Sequence, residues 1–357
     1  MIRFYQTGDD EKIVELLQRT FPKWATFNDP LDLWRWKYIN TPLKSLIIIA
    51  EMDHRIIACN HTVIYNAKLG SEITKLGYDD DLAIDPNFRG QGLWTKIRDK
   101  KNEKLVKLVK YIHTSTTNPI VLQSWIRRNR LLLPFPVTRM LKTDNINDLL
   151  KERQTNNKIL FSLGYIFFNY INKITNLIRK PKKQLPLIKI TQVSNFDENI
   201  NKFWLQIKDD YNYILEKKKG YLNWRFTNND RGSHVIFQAK DESGILGYVV
   251  IGFRQGSTEG FIEDLIALKD RVDIVDALFS VACNYFEDKG INSLYYQVVR
   301  GHPYRKISEW HGFIDTRSRP TIMFDYSINW RGDAQKNIPF LENTSPAQVD
   351  FTYATTI

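Results

Sequence analysis

Residues 81–93 read Asp-Leu-Ala-Ile-Asp-Pro-Asn-Phe-Arg-Gly-Gln-Gly-Leu, a short apolar strand running into an Arg-Gly-x-Gly turn and then a basic helix. Two glycines within three residues let the backbone turn tightly and aim several amide N–H groups the same way, and the following helix N-terminus adds partial positive charge. Arg89 brings a formal charge to the turn. Such a segment is either an ordinary strand-to-helix connection or a seat for a pyrophosphate. Its surroundings favour the seat. Leu82 and Ile84 alternate as in a half-buried strand, Pro86 ends it, and Leu93, Trp94 and Ile97 restart an apolar face at helical spacing. The fully spaced G-x-G-x-x-G of dinucleotide binders is absent, as is the P-loop ending in Gly-Lys-Ser/Thr, so a bound nucleotide would be of another kind.

The run Arg89-Gly90-Gln91-Gly92-Leu93-Trp94 resembles the acyl-CoA motif of the Gcn5-related N-acetyltransferase (GNAT) superfamily, Arg/Gln-x-x-Gly-x-Gly/Ala after a hydrophobic strand. Trp94 stands where the family has a small residue, which bears on how closely the helix packs on a cofactor. An opening strand at 1–5, a helix from about 9 to 21 and strands at 46–51 and 56–65 follow the family's order. The resemblance implies an α/β (α+β) fold with a mixed, mostly antiparallel twisted sheet flanked by helices. It also implies an acyl-CoA cosubstrate, acetyl-CoA first among them, and no metal. The backbone of Leu82, Ala83 and Ile84 would pair with the pantetheine arm, and Arg89, Gly90, Gln91, Gly92, Leu93 and Trp94 would hold the pyrophosphate. Asn118 either hydrogen-bonds that arm or simply caps a helix that has Pro119 at its first position. Where relatives place a Tyr that protonates the departing thiolate, this chain has Trp125, whose indole N–H is a donor and a negligible acid.

At 357 residues the chain exceeds one such domain. A weak internal repeat accounts for the excess: Trp36-Lys37-Tyr38 matches Trp224-Arg225-Phe226, Ala50-Glu51-Met52-Asp53 matches Ala239-Lys240-Asp241-Glu242, and Asp81-Leu82 matches Asp264-Leu265. Two GNAT-like halves are therefore expected: a first domain over 1–143 carrying the acyl-CoA loop, a connector over 144–187, a second domain over 188–333, and a poorly structured tail over 334–357. The second half continues after Leu268 as Lys-Asp-Arg-Val-Asp, without glycine, and cannot make the same amide cradle. It would keep the fold without the cofactor, walling in the acceptor site or pairing its sheet with the first.

Transfer to an amine requires that the amine, protonated at neutral pH, lose a proton before it attacks the thioester. Tyr78-Asp79-Asp80-Asp81 puts three acids just before the loop, where strand alternation sends Asp79 and Asp81 to one face and Asp80 to the other. They are either a solvated strand end or part of the site. Asp80 matches the acidic position that several GNAT members use as a base and is the candidate catalytic residue. Asp81 and Asp264 read as structural, and Glu263, the counterpart of Asp80, as structural or acceptor-binding.

Between the halves, an apolar and aromatic run from Ile159 ends in Arg179-Lys180-Pro181-Lys182-Lys183. Polar residues interrupt it too often for a membrane span of about 20 apolar residues. A connector buried between the halves and a helix lying on an anionic membrane surface through 158–184 both remain open. The balance of 51 basic against 40 acidic residues, net +11, suits an anionic partner without identifying it. Zinc-ligand clusters and RNA-binding aromatic signatures are not evident, so no specific nucleic acid is expected. Cys59 and Cys283 lie in apolar contexts and read as core thiols, and with no secretory leader evident a cytoplasmic enzyme is expected, peripheral membrane contact staying open.

The expected activity is acyl-CoA-dependent N-acylation of a small-molecule amine, with an amino sugar or cell-envelope precursor preferred as acceptor. The alternatives are a Fem-like aminoacyl-tRNA-dependent transferase, also built from two GNAT halves, and a membrane-surface binding module with both sites defunct.

Overall fold

The computed structural model describes residues 1–22, 24, 29–116, 123, 136–153, 188–227, 233–253, 257–316, 322–327 and 344–350. The chain divides into two compact units, one of Met1–Leu133 with Met323–Asn343 and the other of Pro134–Ile322 with Thr344–Ile357. Asn118, Trp125 and most of the connector, including 158–184, lie outside the described residues.

In the first unit, β1 (Ile2–Phe4) is followed by α1 (Asp10–Thr20) and α2 (Pro30–Tyr38), then β2 (Leu46–Met52), β3 (Arg55–Leu69), β4 (Glu72–Ile84), α3 (Leu93–Leu105) and β5 (Tyr111–Thr116). Each helix begins where its sequence permits. Asp29 accepts hydrogen bonds from the amides of Leu31 and Asp32 ahead of Pro30, and Asp10 and Glu11 lie in the first turn of α1, where acids suit the helix dipole. Apolar strands β2 and β3 are buried almost throughout, and Ile48, Ala50, Ala58 and Ile97 form a core beneath α3. The strand order is β1-β2-β3-β4-β5-β14, with β14 (Ile322–Ser327) arriving from the far end of the chain. β4 pairs antiparallel with β3 and parallel with β5.

The second unit repeats the plan with β7 (Lys189–Val193), α5 (Asn199–Ile207), β8 (Tyr213–Leu215), α6 (Lys219–Phe226), β9 (Ser233–Asp241), β10 (Gly244–Phe253), β11 (Glu259–Ala267), α7 (Val272–Asp288), β12 (Ser293–Val299), α8 (Pro303–Trp310) and β13 (Ile314–Asp315). Its sheet runs β13-β6-β12-β11-β10-β9-β7, where β6 (Val137–Thr143) precedes α4 (Ile146–Arg153). Sequence grouped β6 with the first half and β14 with the second. Each instead completes the other unit's sheet, β6 through a seven-residue register from Ser293↔Thr143 to Val299↔Val137. Both sheets are mixed and flanked by helices, as the α+β expectation required.

The tail also departs from expectation. Residues 344–350 are packed in the second unit: Asp350 N–H donates to the Tyr213 carbonyl at 2.9 Å, Asn212 N–H donates to the Gln348 carbonyl at 2.8 Å, and Val349 is buried. Asp350 also forms an ion pair at 2.9 Å with Lys217, which is fully buried and holds both carboxylate oxygens of Asp264 at 3.0 Å.

Candidate functional site

The parallel pairing of β4 with β5 runs only from Leu76↔Tyr111 to Tyr78↔His113. Beyond it the strands part, because β4 continues to Ile84 along β3, with Ala83 opposite Cys59 and Ile84 opposite Ala58. Ala83 and Ile84 thus have ladder partners on the β3 side, Leu82 falls in the break of that register, and among the described residues no ladder lies along their other edge. A strand edge without a ladder offers its N–H and C=O groups to an extended ligand.

The glycine loop lies at the end of the same strand. Buried Asp85 anchors its start, accepting the Asn87 amide at 3.1 Å and pairing with Arg19 and Arg55, each at 3.1 Å. Pro86–Phe88 form a 3₁₀ turn, Arg89 Nε donates back to the Ile84 carbonyl at 3.2 Å, and Gln91 Nε2 donates to the Asn87 carbonyl at 3.3 Å. Gly90 and Gly92 have φ of +77° and +72°, left-handed values that disfavour any side chain, and a Cβ at either would project into open space. Gly92 is the N-cap of α3, so the amides of Leu93, Trp94 and Thr95 open the helix without helical acceptors. The turn is exposed, with Arg89 beside it, and free helix-opening amides of this kind suit an anion. Trp94, the departure from the motif, lies against the core beneath α3, and Lys101 Nζ is 5.7 Å from its ring centroid.

The three acids are not a solvated strand end, since their side chains are only 11–18% exposed. Nor does simple alternation place them. The register with β3 jumps between Cys59↔Ala83 and His61↔Asp80, and Asp81 has φ of +37°, so an extra residue bulges from β4. Asp79 consequently points to α3, meeting Lys101 Nζ at 2.6 Å and accepting from Thr62 Oγ1 at 2.5 Å, whereas Asp80 and Asp81 both reach Lys37 on α2, at 2.6 and 3.2 Å. The expectation that Asp79 and Asp81 share a face fails because the bulge restarts the alternation.

Asp81 is the better satisfied of the pair. Tyr38 Oη donates to it at 2.6 Å and Trp24 Nε1 at 2.9 Å. Burial would raise its pKa, but Lys37 and these donors outweigh that and hold it below the usual carboxylate range. Asp80 behaves oppositely. Burial, reinforced by the charge of Asp81 and opposed by Lys37, pushes its carboxyl up to about 6. Its Oδ1 accepts the bulge amide of Asp81 at 2.9 Å. Asp80 is thus a carboxylate whose proton affinity is matched to work near neutral pH, at a strand irregularity beside the cleft.

His61 lies beneath. Trp34 Nε1 donates to its Nε2 at 3.0 Å, so Nδ1 carries the proton and donates to the Asp81 carbonyl at 3.1 Å. Burial brings its pKa down to about 4, and likewise lowers His113 to about 3 and His302 to about 4. All three are neutral at pH 7, and none is placed to act as a nucleophile. Their stabilising contribution is complete above the ordinary histidine pKa of about 6.5 and is lost as pH falls toward the folded values, at about 1.4 kcal/mol per pH unit each. Asp80 works the other way, gaining stability on protonation below about 6. Urea unfolding at pH 7 and pH 5 should therefore show lower stability at pH 5, and replacing His113 by Phe should reduce that difference.

Sequence reasoning missed Lys37 and Lys101, two buried lysines that meet the acids of β4. Both left a signal: Lys101 occupies the apolar stripe Ile97-Lys101-Leu105 of α3, and Lys37 sits inside the repeated Trp-Lys/Arg-aromatic segment. In the second unit a bulge falls at Glu263, one position earlier by the repeat, between Val250↔Asp264 and Ile251↔Ile262, and β11 and β12 part after Ile262↔Tyr296. That cleft, however, is lined by the chain's own Val349 and Asp350, and no glycine follows β11. Glu263 stands 3.4 Å from His234 Nε2. Cys59 and Cys283 are buried and unpaired with one another. Among the described residues no cluster of His, Cys, Asp and Glu could hold a metal, and no helix is long and apolar enough to cross a membrane.

No protein-family model and no curated protein matches this sequence. Solved structures do match its fold. A protein of unknown function from Enterococcus faecalis, described as a probable N-acyltransferase, superposes with a TM-score of 0.60 at 10% identity over 92% of this chain and 72% of its own. A tandem GNAT protein from the clavulanic acid biosynthesis pathway, solved without acetyl-CoA, gives 0.58 at 11% identity over 93% and 99%. A GCN5-related N-acetyltransferase from Sphaerobacter thermophilus gives 0.50 at 12% identity over 92% and 95%. With two mixed sheets, each bulged and splayed at its fourth strand, and these likenesses spanning both units, the chain has the tandem GNAT fold.

Proposed function

We propose that this protein is an acyl-CoA-dependent N-acyltransferase, that acetyl-CoA is its acyl donor, and that the first unit is the catalytic one. The observation that carries this reading is the joining of a β4 edge, unladdered among the described residues, to a glycine turn, with Asp80 at the bulge where that edge begins. The edge of Leu82–Ile84 suits the amide-bearing pantetheine arm, and Gly90, Gly92 and the first amides of α3 suit the pyrophosphate. Bound there, the donor supplies a thioester carbonyl to a nucleophile.

Asp80 takes one proton of the acceptor ammonium, so that the nitrogen lone pair can attack the carbonyl carbon as the C–S bond breaks, and the departing thiolate takes the second proton from the nitrogen. The thiolate is a good leaving group and needs no strong acid. Asp81, kept ionised by Lys37, Tyr38 and Trp24 on its Oδ2, shapes the bulge instead of exchanging protons. The charges of Asp80, Asp81 and Lys37 sum to one negative charge, which favours an acceptor that arrives as a monocation. An amino sugar or an amine-bearing cell-envelope precursor is the preferred class of acceptor, and a cytoplasmic setting suits the supply of acyl-CoA.

The test is an acetyl-CoA-dependent acylation screen over amino sugars, amino acids and polyamines, read by mass. For any acceptor found, Asp80→Asn should lower kcat by about 10²- to 10⁴-fold with acetyl-CoA binding retained. Wild-type kcat/KM should rise with pH through about 6 as Asp80 ionises. Full activity in Asp80→Asn would remove Asp80 from the mechanism.

A further inference from the structure

The carboxylates of Asp80 and Asp81 are adjacent, largely buried, and would repel each other if both were ionised without a cation between them. Lys37 Nζ fills that position, 2.6 Å from Asp80 Oδ2 and 3.2 Å from Asp81 Oδ2, on a side chain that is 7% exposed. We propose that Lys37 is a positioning residue that holds Asp80 at the bulge as an oriented anion, so that the base is competent at neutral pH. This rests on the acyl-transfer reading above and adds a residue that acts through Asp80 without touching substrate.

The groups packed around the pair leave this task to Lys37. From α2, Tyr38 donates its hydroxyl to Asp81, and from the segment before α2, Trp24 donates its indole N–H. From β3, His61 is neutral and reaches only the Asp81 carbonyl, and Asn60 Nδ2 donates weakly to the Asp80 carbonyl at 3.4 Å. On β4 itself, Tyr78 shares its hydroxyl with Ser115 of β5, and Asp79 is occupied by Lys101 of α3. These neighbours serve Asp81, or the backbone, or one another. The Asp80 carboxylate is held by two contacts, the Asp81 amide on Oδ1 and Lys37 on Oδ2.

The second unit supports the assignment by contrast. Asp264, the counterpart of Asp81, is neutralised by Lys217, which lies before α6 and also holds Asp350. Glu263, the counterpart of Asp80, has His234 Nε2 at 3.4 Å, and Lys217 bridges Asp264 to Asp350 of the tail. The lysine bridge across both acids of the bulge occurs in the unit that also has the glycine cradle.

If Lys37 does this, removing its charge while keeping its bulk leaves Asp80 buried beside Asp81 without compensation. The side-chain carboxyl of Asp80, assigned by its loss in Asp80→Asn, can be titrated by ¹³C NMR in the full-length protein. Wild type should titrate at about 6. In Lys37→Met the midpoint should rise by about one pH unit or more, a fall of roughly tenfold per unit in the ionised fraction well below both midpoints, and Lys37→Arg should restore it. An unchanged midpoint in Lys37→Met would overturn the proposal.

Should Lys37→Met fail to fold, wild type alone decides: the ¹⁵Nζ resonance of Lys37 must move with the same midpoint as Asp80, and an Nζ shift indifferent to that titration overturns the proposal equally. Acetyl-CoA titration into the same samples separates the two ideas. Binding with an unmoved Asp80 midpoint defeats the role of Lys37 and leaves the acyl-transfer reading standing. Absence of binding in wild type defeats that reading, whatever the midpoint does.

Discussion

Lys101→Met is expected to destabilise the first unit by about 3–5 kcal/mol, the cost of leaving a buried carboxylate without its partner. Lys101 is 1% exposed, and its ammonium contacts Asp79 at 2.6 Å and Asn60 Oδ1 at 2.8 Å. The methionine would fill similar volume, so the loss would be electrostatic and not a cavity effect. Removing both charges in Lys101→Met/Asp79→Leu should recover much of the stability, because a buried pair replaced by apolar residues of similar size is often neutral or better. Urea unfolding of the wild type, the single and the double variant checks this. Equal stability of the single variant and the wild type would show that Asp79 finds another partner. The pair matters for function as well, since it ties α3, which presents the glycine cradle, to β4, which presents Asp80.

The second large effect concerns Gly92. At φ of +72° a β-branched residue pays about 1–2 kcal/mol of backbone strain, and its side chain would stand in the mouth of the cradle. Gly92→Val should therefore abolish measurable acetyl-CoA binding while lowering overall stability only modestly, because nothing lies within 4 Å of the added Cβ. Calorimetric titration alongside a thermal melt reads both quantities. Retained affinity in a folded Gly92→Val protein would move the pyrophosphate away from this loop.

Much of this arrangement was legible in local sequence. The strand, turn and helix of 81–93 announced themselves by alternation, Pro86 and the paired glycines, and the Trp-Lys-Tyr and Trp-Arg-Phe segments marked a duplication that the two sheets bear out. What escaped depends on pairing between distant residues. The bulge at Asp81 is a property of β4 against β3, and nothing in Asp79-Asp80-Asp81 itself says where the alternation restarts. The same holds for β6 and β14, which the expected bounds at 143 and 333 assigned by position in the chain, whereas the sheet each completes is set by pairing with distant strands. The tail read as unstructured because Thr344-Ser345-Pro346 is polar and turn-like, yet buried Lys217 draws Asp350 into an ion pair and Val349 follows it into the core. Lys101 was visible as a break in the apolar stripe of α3, and such a break is the signal to pursue when a carboxylate cluster lies nearby in the fold.

The central claim is that one acyl-CoA site exists per chain, in the first unit. Calorimetric titration of acetyl-CoA into the wild-type protein tests it without knowledge of the acceptor. One equivalent bound per chain, with none bound by Gly92→Val, is the predicted result. Two equivalents would give the second unit a working cofactor cleft despite its tail and missing glycines, and no binding at all would contradict the acyltransferase account.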